Sequence, residues 1–425
     1  MLIFNNIVLL IHSAYIVGVE YVKYKLNINN NIQTFKNLTN RLSNLNILYT
    51  KILQWVVNDS VYENKEMKKI LENFTDNVKY DDSDIDYTTL LDLVNNNNIK
   101  LDSLKPTNSG TISLVYKGIL NDETPVIIKI LKKNIKYKLE ESIKYFIFLS
   151  KISRYIPYIN ECNLDKIVVD IKSKLILQIN FEQEIKNTNK FYEYFKDNEN
   201  IVIPKVHEEF TLQYNNLIVM NYINGSNIYS IADNVDKLEY LKILYEFMFE
   251  CMFNYKIFHG DLHPGNILFI REDDKYKLGI IDYGIIEECD DTLKQKLCLF
   301  FKKLTKGDDK DTYEYIVNTL GEPNIKSSNT IIINKEKLIN ELMICKQKYK
   351  ILTDSVKAND IYYINMVLNK NNMLLDVNFS KVFLIVSSMY SLLYMLQESK
   401  NGNVFKQCFE KYCSNYVFTY LNFIE

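Results

Sequence analysis

Two short stretches constrain this chain more than anything else in it: "HGDLHPGN" at 259–266 and "IDYG" at 281–284. The 425 residues contain only 4 His, 11 Gly and 6 Pro, yet the run "FHGDLHPGNILF" at 258–269 takes two of the His, two of the Gly and one Pro. Apolar residues close it on both sides. It reads as a tight loop between two buried strands, with Gly260, Pro264 and Gly265 turning the backbone. Such a loop presents Asp261 and Asn266, five apart, and Asp282 follows Asn266 by sixteen. The composition leans to Asn, Ile, Lys and Tyr, with runs such as "NINNN" at 27–31. That drift erodes motifs at tolerant positions, so a motif that survives it is the more informative.

Two features upstream complete a set. "PTNSGTIS" (106–113) is a loop ahead of a strand, and Lys129 sits inside the strand "VIIKI". Transfer of phosphate from ATP needs a flexible loop over the phosphates, a cation on them, oxygen ligands for Mg²⁺ and a carboxylate facing the acceptor. Asp261 with Asn266 matches the Asp-x-x-x-x-Asn of a kinase catalytic loop, and Asp282-Tyr283-Gly284 matches Asp-Phe-Gly with the aromatic kept. Lys129 would then hold the α/β-phosphates, and Asn266 and Asp282 would hold Mg²⁺ as hard oxygen donors. Asp261 would position the attacking water or hydroxyl. Asn108, Ser109, Gly110 and Thr111 would cover the phosphates. Val115, Met220 and the backbone from Asn221 to Ile223 would meet the nucleotide. A lysine in a strand, or an Asp and an Asn five apart, is commonplace alone; the order and spacing carry the reading. His259 precedes Asp261, where it holds the loop backbone, and no third ligand joins it and His263 to bind zinc.

The rest of the chain frames this set. The net charge of −2 supplies no basic field for nucleic acid. Seven scattered Cys without a CxxC pair suit a reduced, intracellular chain. Residues 2–22 are mostly apolar, broken by Asn5, Asn6, His12 and Glu20: either a membrane anchor or a buried or interfacial helix. The periodicity predicts a helix over 33–57, a loop over 75–88, and a hairpin from 114–120 and 125–131 joined by "NDET". It further predicts helices over 133–155 and 166–195, a strand over 217–223, and a core helix at 382–396. Five residues after Gly284, Asp290 or Asp291 would cap a new helix.

With those residues in hand, the chain resembles the UbiB/ADCK atypical kinase family, linked to coenzyme Q biosynthesis. "HGDLHPGN" carries the likeness, supported by the loop and strands of 106–131 and by "NFEQEIKNTNKFYEYF" (180–195), similar to the family's αC helix. The resemblance covers roughly 36–410. It implies an α+β, two-lobed protein-kinase-like fold, with a helical N-terminal extension and a helix-rich C-terminal lobe. The expected division is an apolar segment at 1–32, a helical extension at 33–100, an N-terminal lobe at 101–223 and a C-terminal lobe at 224–425. It makes Glu184 the partner of Lys129, and sets Lys51 and Gln54 of "TKILQ" against the family's Lys-x-Gly-Gln, with Leu53 in place of Gly. The family's Ala-rich loop contains Gly110 here. Its Glu-x-Asp is Gln178-Ile179-Asn180, two amides able to hydrogen-bond Lys51 without offsetting its charge.

The function so implied is a Mg-ATP-dependent atypical kinase or ATPase. It would act at a membrane on a small-molecule or lipid pathway such as ubiquinone biosynthesis, beside membrane lipid or isoprenoid-quinone pathway enzymes. The segment after "IDYG" is too short to seat a peptide. Two alternatives stay open: a nucleotide-binding pseudokinase or scaffold, and a choline- or aminoglycoside-type phosphotransferase.

Overall fold

The computed structural model describes residues 2–58, 65–72, 74, 78–97, 99–153, 172–173, 175–211, 213–306, 308–323, 333–349, 351–352, 358–380, 382, 396 and 404–416. Helices α1 (Leu2–Lys25), α2 (Asn31–Leu45), α3 (Ile47–Asn58) and α4 (Lys65–Glu72) come first. The single helix expected over 33–57 is two, because Asn46 is extended, with φ −155°. Its side-chain oxygen accepts from the Leu48 N–H at 2.9 Å, a local bond that competes with the helix and starts α3 afresh. The loop expected over 75–88 holds from 78 to 86 apart from one short turn; residues 75–77 lie outside the described residues. A short turn at Asp82–Asp84 leads to Asp86, which takes the Thr89 N–H and hydroxyl and opens α5 (Tyr87–Asn97).

A five-stranded antiparallel sheet follows: β1 (Lys100–Leu101), β2 (Asn108–Ser109), β3 (Ser113–Ile119), β4 (Pro125–Leu131) and later β6 (Leu217–Asn221), in the order β1-β3-β4-β6 with β2 on β3. Alternation along β4 and β6 decides which side chains go where. Val126, Ile128, Ile130, Leu217 and Val219 pack with Leu90 and Leu93 of α5. The opposite face gives Leu131, Ile218 and Met220, buried with Leu48 and with Leu139, Ile143 and Phe146 of α6 (Ile135–Ser153). Lys129 is on that second face. The expected strand over 217–223 ends at Asn221.

The helix expected over 166–195 is interrupted. Residues 175–178 are helical, Ile179 turns, and Asn180 caps a new helix, α7 (Phe181–Phe195), by accepting from the Gln183 N–H. Residues 166–171 lie outside the described residues.

The second lobe is built on α8 (Asn234–Phe249), whose buried face includes Tyr240, Leu244, Phe247 and Met248. Against it sit β8 (Ile267–Glu272) and β9 (Lys275–Ile280), an antiparallel pair extended by β5 (Ile201–Val202), parallel to β9. A second ribbon pairs β7 (Ile257–His259) with β10 (Ile286–Glu288). Asp290 accepts from the Leu293 N–H at 2.7 Å and caps α9 (Asp291–Lys306). Helices α10 (Asp309–Tyr315), α11 (Lys335–Tyr349), α12 (Ala358–Lys370) and α13 (Val404–Tyr416) complete the lobe. Of the helix expected at 382–396, only Val382 and Leu396 are described; both are buried in this core.

Candidate active site

The antiparallel register sets Lys129 of β4 opposite Ile218 of β6 and Val115 of β3. Its face of the sheet meets α7, where Glu184 occupies the first turn. The Lys129 ammonium donates to Glu184 Oε1 at 2.7 Å and to Asp282 Oδ2 at 2.9 Å. One lysine thus ties the sheet, α7 and the segment after β9 together. Burial by itself lowers its pKa, but the two carboxylates more than reverse this and raise it above the usual lysine value. Burial pushes the Glu184 carboxyl up to about 7, with Lys129 pulling the other way. Burial also acts on Asp282, yet Lys129 and the Gly284 N–H win and hold that carboxyl well below the usual range. Asp282 itself takes a left-handed φ of +66°, uncommon outside Gly and of the kind that structures retain at functional positions.

The catalytic-loop motif is braced by its own side chains. His259 Nδ1 accepts from the Asp261 N–H at 3.2 Å, and burial lowers the pKa of that ring against the pull of Asp282 and Asp261. His263 Nδ1 accepts from the Gly265 N–H. The Asn266 amide nitrogen donates to the Asp261 carbonyl at 2.8 Å, which leaves its Oδ1 for other work. Tyr283 is fully buried between Phe191 of α7 and His259, with ring centroids at 4.6 Å and 5.1 Å. Its backbone carbonyl takes the Asn187 amide at 2.8 Å, a second tie to α7.

Gly260 is required by space. A Cβ there would lie 2.5 Å from Ile285 Cγ2 and 3.2 Å from the Ile285 carbonyl, which the Gly260 N–H already uses. Gly260→Ala is expected to cost about 1–3 kcal/mol in chemical denaturation, the scale of an overpacked site.

These groups open onto one cavity of about 380 Å³ between the lobes. It is lined by Asn108, Ser109, Gly110, Thr111, Val115, Lys129, Glu184, Met220, Asn221 and Ile223 from the first lobe, and by Asp261, Asn266 and Asp282 from the second. Lys51 reaches the same cavity from α3. Burial depresses its pKa, against the pull of Asp261 and Asp282. Gln54 lies on α3, but its side chain is outside the described residues. Two strand residues that the sequence pattern does not single out also line the space, Ile127 and Leu268. Apolar strand residues carry no signal that separates a cavity wall from core.

Two expectations change. Gln178 does not bond Lys51: its amide donates to Asp261 Oδ2 at 3.2 Å. Asn180 serves as the cap of α7. Both follow from the break at Ile179, which turns residue 178 toward the catalytic loop. In the backbone segment expected to meet the nucleotide, the Asn221 and Tyr222 N–H groups already donate to the Lys205 and Pro125 carbonyls. Of the three expected backbone groups, only the Ile223 N–H is left to donate.

The donor set suits Mg²⁺, which favours oxygen ligands and keeps several waters. Asn266 offers an amide oxygen because its nitrogen is committed, and Asp282 offers an ionised carboxylate. Among the described residues, no group of three His, Cys, Asp or Glu side chains gathers to hold a metal.

A two-lobed α+β fold, with a buried lysine bridging a helix carboxylate and the Asp of "IDYG", defines a protein-kinase-like chain. The sequence pattern of the ABC1 atypical kinase-like domain matches residues 100–316, and the chain belongs to that family. It is similar to a probable serine/threonine-protein kinase abkB of Dictyostelium discoideum, 27% identical over 288 residues, covering 64% of this chain and 42% of that protein. It is also similar to a probable protein kinase UbiB of Shewanella sp. (strain ANA-3), 29% identical over 192 residues, covering 43% of this chain and 34% of that one. The chain therefore spans less than half the length of these curated relatives. Among solved structures, the Rv3197–erythromycin complex of Mycobacterium tuberculosis aligns at 16% identity with a TM-score of 0.48, over 70% of this chain and 74% of that one. The Rio2 kinase–ADP/Mg²⁺–phosphoaspartate complex of Chaetomium thermophilum aligns at 14% and 0.31, over 51% and 60%.

Proposed function

We propose that the chain binds Mg-ATP in the interlobe cavity and acts as an atypical kinase or ATPase. One observation carries the reading. Lys129 is held between Glu184 and Asp282 in the lining of a cavity that also receives Asp261 and Asn266. In the proposed assignment, Lys129 holds the α/β-phosphates and Glu184 orients it. The Asn108–Thr111 loop covers the phosphates, and the Ile223 N–H meets the adenine edge. When bound, Mg²⁺ supplies charge neutralisation on the phosphates; Asn266 and Asp282 would hold it. Asp261 orients the attacking water or hydroxyl through the carboxylate oxygen that Gln178 leaves free.

The acceptor is proposed to be water, a small molecule or a lipid. After Gly284 the chain forms β10 on β7 and enters α9 at Asp291, with no platform for a peptide between them. A role at a membrane beside lipid or isoprenoid-quinone enzymes is proposed from the family. Turnover of ATP with Mg²⁺, measured as phosphate release, tests the enzyme reading; no turnover with any acceptor class would overturn it.

A second reading, nucleotide binding without turnover, is favoured by the Gln178 amide seated on Asp261. The two separate on turnover. Mg-ATP binding with no phosphate release supports the second reading; phosphate release that is lost in Asp261→Asn excludes it.

A further inference from the structure

Helix α1 turns polar residues inward. Its buried residues are Asn6, Ser13, Ile16 and Glu20, three of the four polar, with Leu9 and Leu10 partly buried on the core beside them. The Ser13 hydroxyl lies 2.9 Å from those of Tyr49 on α3 and Tyr145 on α6. Glu20 takes the Arg41 guanidinium at 2.8 Å and the Lys23 ammonium at 3.3 Å, with the Asn37 amide at 3.2 Å. The opposite face carries Ile7, Ile11, Tyr15, Tyr21 and Val22, with Ile11 59%, Tyr15 63% and Tyr21 57% exposed. A helix on a water-facing surface is patterned the other way. Polar residues that face the protein and pair there, behind an apolar outer face, are the pattern of a helix in contact with lipid.

Charge points the same way. Helices α1 and α2 carry Lys23, Lys25, Lys36 and Arg41 against the single carboxylate of Glu20, in a chain whose net charge is −2. Cations also sit by the tyrosines of this face: Lys25 lies 5.6 Å and 5.9 Å from the Tyr21 and Tyr24 rings, and Arg41 5.9 Å from Tyr15. Tyrosine beside Lys or Arg suits the headgroup level of a bilayer.

By length and composition Asn5–Lys25 is able to cross a membrane. Its packing argues otherwise. Helix α2 lies against α1, and Arg41 and Asn37 of α2 hold Glu20. A spanning α1 would carry these groups into hydrocarbon, where polar side chains are costly. We propose that α1 lies in the plane of an anionic phospholipid membrane, its Ile7–Val22 face in the acyl boundary and the basic residues at the headgroups. The surface rests on no part of the nucleotide reading.

The test is flotation of the full chain with phosphatidylcholine vesicles and with vesicles containing phosphatidylglycerol. Binding is expected on the anionic vesicles, weakened by salt and released by alkaline carbonate. The triple variant Ile11→Glu, Tyr15→Glu and Val22→Glu, at exposed positions, should cut binding at least about tenfold. Its melting temperature and Mg-ATP response should stay as in wild type. Three results would overturn the proposal. Unchanged binding of the triple variant removes the face. Resistance to carbonate means that α1 spans. No flotation, with a dimer that the triple variant splits, means that a second copy covers the face.

Discussion

Lys129→Met is expected to lower unfolding stability by about 3–5 kcal/mol and to abolish nucleotide binding. Both losses come from one geometry. The ammonium is the shared partner of Glu184 Oε1 and Asp282 Oδ2, and Glu184 is fully buried. Its other oxygen, Oε2, has no partner among the described residues. Removing the lysine leaves a buried carboxylate uncompensated, which costs far more than the ion pair is worth by itself. A second substitution separates the two effects. Adding Glu184→Leu to Lys129→Met removes the stranded charge and should recover much of the stability, while nucleotide binding stays lost. Denaturant titration of the single and double variants, with nucleotide titration beside it, measures both. A single variant as stable as wild type would contradict the ion-pair account.

Asp261→Asn is expected to cut phosphate release by about 10²–10⁴-fold, the range for a positioned general base, and to leave Mg-ATP affinity near wild type. The backbone of the loop should survive. His259 and Asn266 bond the main chain of residue 261 and not its carboxylate. In the variant, the Gln178 amide can still donate to the side-chain oxygen at this position. The loss would therefore report the missing carboxylate and not a collapsed loop. Turnover within a few-fold of wild type would assign the release to another group.

Much of this site was legible because its parts obey short-range rules. Lys129 could be placed inside a strand from the apolar run "VIIKI", though not on either face of it, and the turn at 259–266 from its Gly and Pro. Glu184 was legible from the resemblance of its segment to the family's αC helix, even though the helix that carries it was drawn too long. Gln178 was not legible. Its contact with Asp261 depends on the chain breaking at Ile179 and restarting from the Asn180 cap, and an Asn inside an apolar periodicity does not announce which way the chain turns. The lining by Ile127 and Leu268 was hidden for a different reason: β-branched and apolar residues in strands look alike whether they face a core or a cavity. The 2–22 segment showed its polar interruptions at once. Only the packing against α2, α3 and α6 revealed that Asn6, Ser13 and Glu20 fall on the inward side. Hydropathy averaged along a helix does not record which side is wet.

The central claim is that Asp282, Asn266 and Lys129 form one Mg-nucleotide site. The most direct measurement is the melting temperature of the chain with ATP, with and without Mg²⁺, in wild type and in Asp282→Asn. A ligand at about 100 times its dissociation constant adds about 2.7 kcal/mol to the folded state. The account predicts a rise of several degrees in wild type with Mg-ATP, a smaller rise without Mg²⁺, and little response in Asp282→Asn. Wild-type protein that melts at the same temperature with and without Mg-ATP would contradict it.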